Sequence, residues 1–451
     1  MALENQTTGQ GHAPATERRP SGASALLLHL HPRVVPEGAL RLSRTFGLGG
    51  AALVLFVLLA VTGALLLIGY EPSPERAYGT VVSLAEQVPF GAFVRNIHHW
   101  AANGLVLVAF LHLLRVFYRG GHLRPRQGNW LLGVVLLLLV LASAFTGYLL
   151  PWDQLAYWAV TISTGILEYV PIVGGLLLRA ARGGSEIGSA TLVRFFVLHV
   201  ALLPITLLGL LSFHFWLVRK AGGVILPAGT GDEASPRGPL VPTSPALTRR
   251  EGVAALAVLA AVLLLAAVAD APLLAEANPG LSPNPAKAPW YFMGVQELLV
   301  HLHPLFGAVL VPALALGLLA ALPALAGGAR PSGRWFESTH GARLALGAAV
   351  AGVFLAALGI AFSEMVRRTP SWFPALPPAV RGGLFPTLAA AVLVAALGLW
   401  ARRRGATRLE LMQATFTLVL AAFVLLTATG VFFRGAGMAL AWPWSIPRGA
   451  P

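Results

Sequence analysis

Four histidines of this chain have the types and spacing to hold a redox metal. His98 and His112 lie 14 residues apart in one apolar run, and His199 and His214 lie 15 apart in another. An α-helix turns about 100° and rises about 1.5 Å per residue, so 14 residues return to within about 40° of the starting face and 15 overshoot it by about 60°. Each run therefore carries two imidazoles on roughly one face, about 21–22 Å apart along the axis. Two such helices facing each other form two opposed pairs, one near each side of a membrane. Neutral, opposed imidazoles are good iron ligands, and haem is the iron carrier that fits between two helices. His99 adjoins His98, but pairing it with His112 gives 13 residues and a rotation of about −140°, nearly the opposite face. His98 is the better ligand.

Glycines share the same axial repeat. Gly49 and Gly63 are 14 apart in the first apolar run, and Gly133 and Gly147 are 14 apart in the third. A macrocycle wedged inside a helix bundle needs neighbours without side chains where it presses. Arg95 and Arg194 lie just before His98 and His199, at the expected membrane edge. A guanidinium grips a carboxylate in a two-pronged fork, which makes both candidates for haem propionates. An interfacial arginine that snorkels is the plainer alternative for each.

The elements that must position these residues are membrane helices. The 451-residue chain is 56% hydrophobic and 11% charged, unlike an ordinary soluble domain. Apolar runs of about 20 residues recur near 46–69, 93–117, 130–150, 195–218, 252–270, 298–323, 343–363, 384–401 and 411–433, each long enough to cross a bilayer. The expected fold is an all-α polytopic membrane protein, a four-helix di-haem bundle followed by about five further transmembrane helices. No signal-peptide pattern precedes the first run, so that helix is expected to stay in the protein. The net charge of +14 is spread over short loops and not gathered in a soluble domain, so no nucleic-acid partner is expected. Most of the basic residues, among them Arg18, Arg19, Arg33, Arg41, Arg44, Arg115, Arg119, Arg124, Arg126, Arg219, Lys220, Arg237, Arg249, Arg250 and Arg402 to Arg404, fall on one side if the N-terminus is cytoplasmic. The chain has no cysteine, which excludes disulfides, thiolate metal sites and thioether-attached haem.

Composition divides the chain into a cytoplasmic segment 1–44, a bundle 45–220, a Gly- and Pro-rich linker 221–250, a second half 251–365 and additional helices 366–451. Ala271 to Pro289 holds several prolines and reads as a loop. The stretch "YWAVTISTGILEYV", within the loop 151–193, reads as a short surface helix.

The segments "RNIHHWAANGLVLVAFLHLLRVFYRGG", "TGYLLPWDQLAYWAVTISTG" and "LVRFFVLHVALLPITLLGLLSFHFWLVRK" resemble cytochrome b of the quinol-oxidising cytochrome bc complexes, and the 14/15 spacing resembles the photosynthetic branch. The resemblance covers roughly residues 40–325. It implies that His98 and His199 hold a low-potential haem near the outer surface, and that His112 and His214 hold a high-potential haem near the cytoplasmic surface. It further implies a bacterial inner-membrane location, two non-covalent b haems, a quinol such as menaquinol, a Rieske iron–sulfur protein and a cytochrome c subunit as partners, and a homodimer within a larger complex. Arg219 and Lys220 close the fourth span where relatives favour quinone reduction; topology alone also accounts for a basic pair there.

Two positions depart from that family. Gly47 stands where the photosynthetic branch attaches an extra haem through cysteine. The quinol-oxidation motif Pro-Glu-Trp-Tyr reads Ala288-Pro289-Trp290-Tyr291, and proline cannot take the quinol proton. The expected substitute is Glu297 at the start of the next span, with Tyr291 positioning the quinol among Pro289 and Trp290; a helix-capping role is the plainer alternative for Glu297. His301 and His303 could continue a proton path or be structural. The reaction expected is quinol oxidation near the outer face, with electrons divided between a Rieske protein and the two haems. The degenerate motif keeps open a di-haem anchor that feeds another redox enzyme without a Rieske partner, and a transporter without haem is the third reading.

Overall fold

The structure is a computed structural model, and it describes residues 32–227, 239–367 and 374–446. Arg18, Arg19 and Arg237, most of the segment 1–44 and the middle of the linker 221–250 lie outside the described residues. Thirteen helices are labelled here: α1 Leu48–Leu67, α2 Ala77–Glu86, α3 Gly91–Tyr118, α4 Gln127–Leu149, α5 Gln154–Gly165, α6 Gly174–Arg182, α7 Ser189–Lys220, α8 Thr243–Val268, α9 Trp290–His301, α10 Leu305–Leu325, α11 Thr339–Arg367, α12 Val380–Arg403 and α13 Arg408–Phe432. Among the described residues, nine of these are long and apolar enough to span a membrane. The protein is an all-α polytopic membrane protein, and the expected spans match the helices to within a few residues at most ends. One short antiparallel pair, β1 Val34–Pro36 with β2 Leu240–Pro242, joins the N-terminal segment to the start of α8.

Lipid tails are as apolar as leucine, so burying apolar surface does little to hold membrane helices together; close packing and small residues do that work. The main core illustrates it. Leu55 of α1, Ile97, Ala101 and Leu105 of α3, Val140 of α4, Leu207 of α7, and Val262 and Ala266 of α8 interlock, with Ala101 fully buried. Helix α8 thus lies directly against α1 and α3, and the linker does not separate the two halves in space.

Polar side chains then fix the loops. Asn96 donates to the Ala266 carbonyl (3.1 Å) and to Asp270 (2.8 Å) and accepts from the Ala271 N–H (2.8 Å). Asp153 caps α5 through the Ala156 N–H (2.9 Å) and holds the Leu274 N–H (3.0 Å) with its other oxygen. The stretch 271–289 is a loop, as its prolines predict. The helix expected within 151–193 is α5, and α6 follows it.

One boundary differs from the sequence reading. Trp290–His301 is a helix of its own and not the start of the next span. Leu302 is extended (φ −120°, ψ 152°) and Pro304 follows, so helix geometry breaks before α10 begins.

Candidate haem centres and quinol site

The four predicted histidines come together as two facing pairs. The His98 and His199 rings lie 6.2 Å apart between centroids at an interplanar angle of 74°. Those of His112 and His214 lie 6.4 Å apart at 73°. Two metal–imidazole bonds of about 2.0 Å, plus the distance from each ring centre to its outer nitrogen, require about 6.3 Å. Both separations fit an iron held between two rings.

The unequal 14 and 15 spacings give equal geometry because α7 is not uniform. Residues Leu198–Leu202 form one wide π-helical turn at His199. Such a turn accommodates one extra residue, so 15 residues act as 14 and the overshoot of about 60° becomes the same offset of about 40° seen on α3.

The ring nitrogens that would not face the iron are engaged at one end. His98 Nδ1 meets the Thr62 hydroxyl at 2.9 Å. His199 Nδ1 lies 3.0 Å from the Ser143 carbonyl and 3.3 Å from the Thr146 hydroxyl. A carbonyl only accepts, so His199 carries its proton on Nδ1 and presents the Nε2 lone pair to a metal. The buried Nδ1 of His214 has no hydrogen-bond partner among the described residues. His99 points elsewhere: its carbonyl and ring meet Asn103 (3.0 and 3.3 Å), and Asn103 in turn accepts from the Trp290 indole N–H (2.8 Å).

Each predicted glycine lies against one histidine. A Cβ at Gly49 would touch His112 at 3.6 Å and one at Gly133 would touch His214 at 3.7 Å, both ordinary contacts. At Gly63 it would press His98 at 3.2 Å, and at Gly147 it would overlap the His199 ring. The glycines thus leave room for the ligand rings. Gly147→Ala is expected to displace His199 and reduce the b-haem absorbance per purified chain, whereas Gly49→Ala and Gly133→Ala leave it at the wild-type value.

The arginines are distributed differently from the sequence reading. Arg95 donates to the carbonyls of Ala271 (2.9 Å) and Pro272 (2.6 Å), and Arg194 donates to that of Ala180. Arg95 clamps the loop after α8 and Arg194 clamps helix α6, so both guanidinium groups already donate to backbone. The cationic cluster is at the other end, beside His112 and His214. Arg115 donates twice to the Arg44 carbonyl (2.9 and 2.6 Å), Arg119 to those of Gly333 (2.9 Å) and Ser43 (3.1 Å), and Arg126 to that of Ala221 (2.8 Å). None of these bonds ends on a carboxylate, and the buried Nε atoms of Arg44 and Arg119 have no partner among the described residues. Buried positive charge of this kind suits an anionic ligand edge. In the sequence these arginines read only as topology signals.

His122 sits in the same region, 3% exposed and stacked on Phe117 at 5.0 Å. Burial lowers its pKa to about 4. An unfolded histidine titrates near about 6.5, so the stability gained from a neutral buried ring is full above that pH and is lost as pH falls toward about 4. The melting temperature is expected to drop between pH 7 and pH 5, and more steeply than in His122→Phe.

The second candidate site surrounds α9. Pro289 occupies the position before the helix and Trp290 is its first residue. Tyr291 packs on the bundle core, and Phe292 meets Phe145 edge-on at 6.0 Å. Glu297 is six residues from Tyr291, about a third of a turn away, and faces the C-terminal helices. It is fully buried, with both oxygens bound by Arg434 Nε (3.0 and 3.1 Å) and one 3.0 Å from His301 Nε2. The expectation that Glu297 takes the quinol proton directly therefore meets a carboxylate already committed to a guanidinium. Sequence reasoning assigned no chemistry to the C-terminal spans and missed Arg434. It lies just beyond the end of α13, and its acidic partners Glu297 and Glu364 are 137 and 70 residues earlier in the chain.

The family model described as Cytochrome b/b6/petB matches residues 36–222. The cytochrome b6 of Heliobacterium mobile is 44% identical over 192 residues, which are 43% of this chain and 88% of that protein. The chain belongs to the cytochrome b family. The cytochrome b6 of Prochlorococcus marinus (strain MIT 9211) is 42% identical over 175 residues, 39% of this chain and 80% of that protein. A solved chain of "Hyperthermophilic respiratory Complex III" is similar in fold over 91% of this chain and 97% of its own length, with a TM-score of 0.65 and 24% identity. This cytochrome b is an electron-transfer subunit of membrane redox type. Its family binds b-type haem, and the absence of cysteine fits haem held without a covalent link. The family model ends at residue 222, whereas the likeness in fold covers 91% of the chain and so continues into the C-terminal half.

Proposed function

We propose that this cytochrome b is the di-haem subunit of a quinol:cytochrome c oxidoreductase in a bacterial inner membrane, with its N-terminus cytoplasmic. The observation that carries the reading is the pair of facing imidazoles repeated at two depths of one bundle, with matching separations and angles. Two b haems held there supply one-electron transfer across the bilayer. The chain's own residues do the rest. His98 and His199 grip one iron and His112 and His214 the other. Thr62 and the Ser143 carbonyl fix the ring orientations of the first pair. Arg44, Arg115 and Arg119 suit the propionates at the cytoplasmic end. Tyr291 orients a quinol such as menaquinol beside Pro289 and Trp290, and the Trp290–Asn103 bond ties that helix to the helix bearing His98. Arg219 serves quinone reduction on the cytoplasmic side. A Rieske iron–sulfur protein and a cytochrome c subunit are the partners this chemistry calls for, in a homodimeric complex.

The test is the purified complex. Two b haems per chain and quinol-dependent reduction of cytochrome c are expected. The substitution of proline for the motif glutamate favours a second reading, a di-haem anchor serving another enzyme. Haem reduction by quinol without a copurifying Rieske subunit decides for that one, and absence of b-haem absorbance overturns both.

A further inference from the structure

The C-terminal helices bring a second set of reactive groups against α9, about a quarter to a third of a turn around the helix from Tyr291. Helix α13 is locked there by close contacts: Met293 of α9 fills the space at Gly430, and Phe423 and Thr427 of α13 fill that at Gly294. Just beyond α13, Arg434 is fully buried and binds Glu297 of α9, Glu364 of α11 (2.7 Å) and the Met438 carbonyl (2.8 Å). His301 of α9 completes the set. Its Nδ1 lies 2.9 Å from the Ser363 hydroxyl of α11. Its Nε2 lies 3.0 Å from a Glu297 oxygen and 3.2 Å from Arg434 Nη2.

That arrangement makes His301 sensitive to a single proton. Arginine only donates and an ionised carboxylate only accepts. When Nε2 is bare, it accepts from Arg434 and its lone pair faces the Glu297 oxygen. When Nε2 is protonated, it donates to Glu297 and faces the guanidinium. Each state satisfies one neighbour and opposes the other. The Ser363 hydroxyl both donates and accepts, so it suits Nδ1 in either state. The four ion-pairing groups sum to one negative charge with a neutral imidazole and to zero with a charged one, so the set takes up a proton without accumulating net charge. Other charged or titratable groups border the set. Lys287, in the loop before α9, lies close enough for Glu297 to influence its charge and donates to the Val431 carbonyl (3.2 Å). His303 stands at the break after α9, its ring against Tyr169 at 5.5 Å. The Glu364 side chain is 16% exposed while those of Arg434 and Glu297 are 0%, so Glu364 is the most accessible carboxylate of the set.

We propose that His301 is a proton-loading site for the outer quinol reaction, and that Glu364 is its outlet to the outer aqueous phase. The inference rests on the quinol-oxidation reading above. The step is proton transfer alone: a proton given up by a quinol hydroxyl is taken up at the His301 imidazole, and an equivalent proton leaves past Glu364. The two electrons follow the acceptors already named, the b haem and the Rieske iron–sulfur partner. Arg434 stays charged throughout and acts as a positioning residue.

The test uses the whole purified complex with a quinol and cytochrome c. His301→Gln and Ser363→Ala are expected to keep both b haems while slowing quinol oxidation at neutral pH about tenfold or more, as the loss of a positioned proton acceptor does. The pH profile of quinol oxidation is expected to change in both variants. Proton release, followed with a pH-indicator dye after a quinol pulse, is expected to lag behind haem reduction in Glu364→Gln, whereas the two coincide in the unmodified complex. Should His301→Gln fail to assemble, Ser363→Ala leaves every ion pair in place and decides alone. Unchanged rates and pH profiles in the assembled variants, with proton release still matching haem reduction, overturn the proposal. If quinol fails to reduce the haems of the unmodified complex, the quinol reading itself fails, a result distinct from the variants' behaviour.

Discussion

Replacing His199 with leucine is expected to halve the b-haem absorbance of the purified chain. The substitution leaves His98 without an opposing nitrogen, because the facing ring 6.2 Å away is gone. The second pair, His112 and His214, shares no hydrogen bond with the first and is expected to keep its haem. Quinol-driven reduction of that remaining haem should then disappear while chemical reduction by dithionite persists, since the electron path from the outer site is cut. His99→Leu supplies the control: His99 adjoins His98 but binds Asn103, so both haems should remain. A full haem complement in His199→Leu would falsify the ligand assignment.

The second large effect is expected at Arg434. Arg434→Leu strands two carboxylates, Glu297 in the interior and Glu364 near its edge, and also removes the donor to the Met438 carbonyl. Removing one partner of a buried ion pair costs about 3–5 kcal/mol, because the remaining charge is left without compensation. Helices α9, α11 and α13 should loosen from one another, lowering the melting temperature and exposing the 436–446 segment to protease. Adding Glu297→Leu to that variant is expected to recover a large part of the loss, since an apolar pair of similar volume no longer carries an unpaired charge. Equal stability of the single variant and the unmodified protein would show that the pair contributes nothing.

The parts that were legible in the sequence depend on local regularity. Uninterrupted apolar runs fix the spans because length and hydropathy are short-range properties, and histidines within one helix declare their common face through the 3.6-residue period. The prolines of 271–289 marked a loop for the same reason. What escaped involves partners distant along the chain. Glu297 and Arg434 are 137 residues apart, and no periodicity links them. Arg95 looked free to bind a propionate because the carbonyls that occupy it belong to Ala271 and Pro272, more than 170 positions later. The separation of α9 from α10 was foreshadowed by Pro304, but the continuous apolar pattern across it concealed the break.

The wide turn at Leu198–Leu202 has a consequence for comparing chains of this kind. A single inserted residue is absorbed inside the bilayer without moving either imidazole off the shared cleft, so the interval counted in sequence is not a ruler for the distance between metals. Chains with 14 residues in this helix and chains with 15 can present the same electron-transfer geometry, and deleting one residue from this turn should relax it to a regular helix with the cofactor depths preserved.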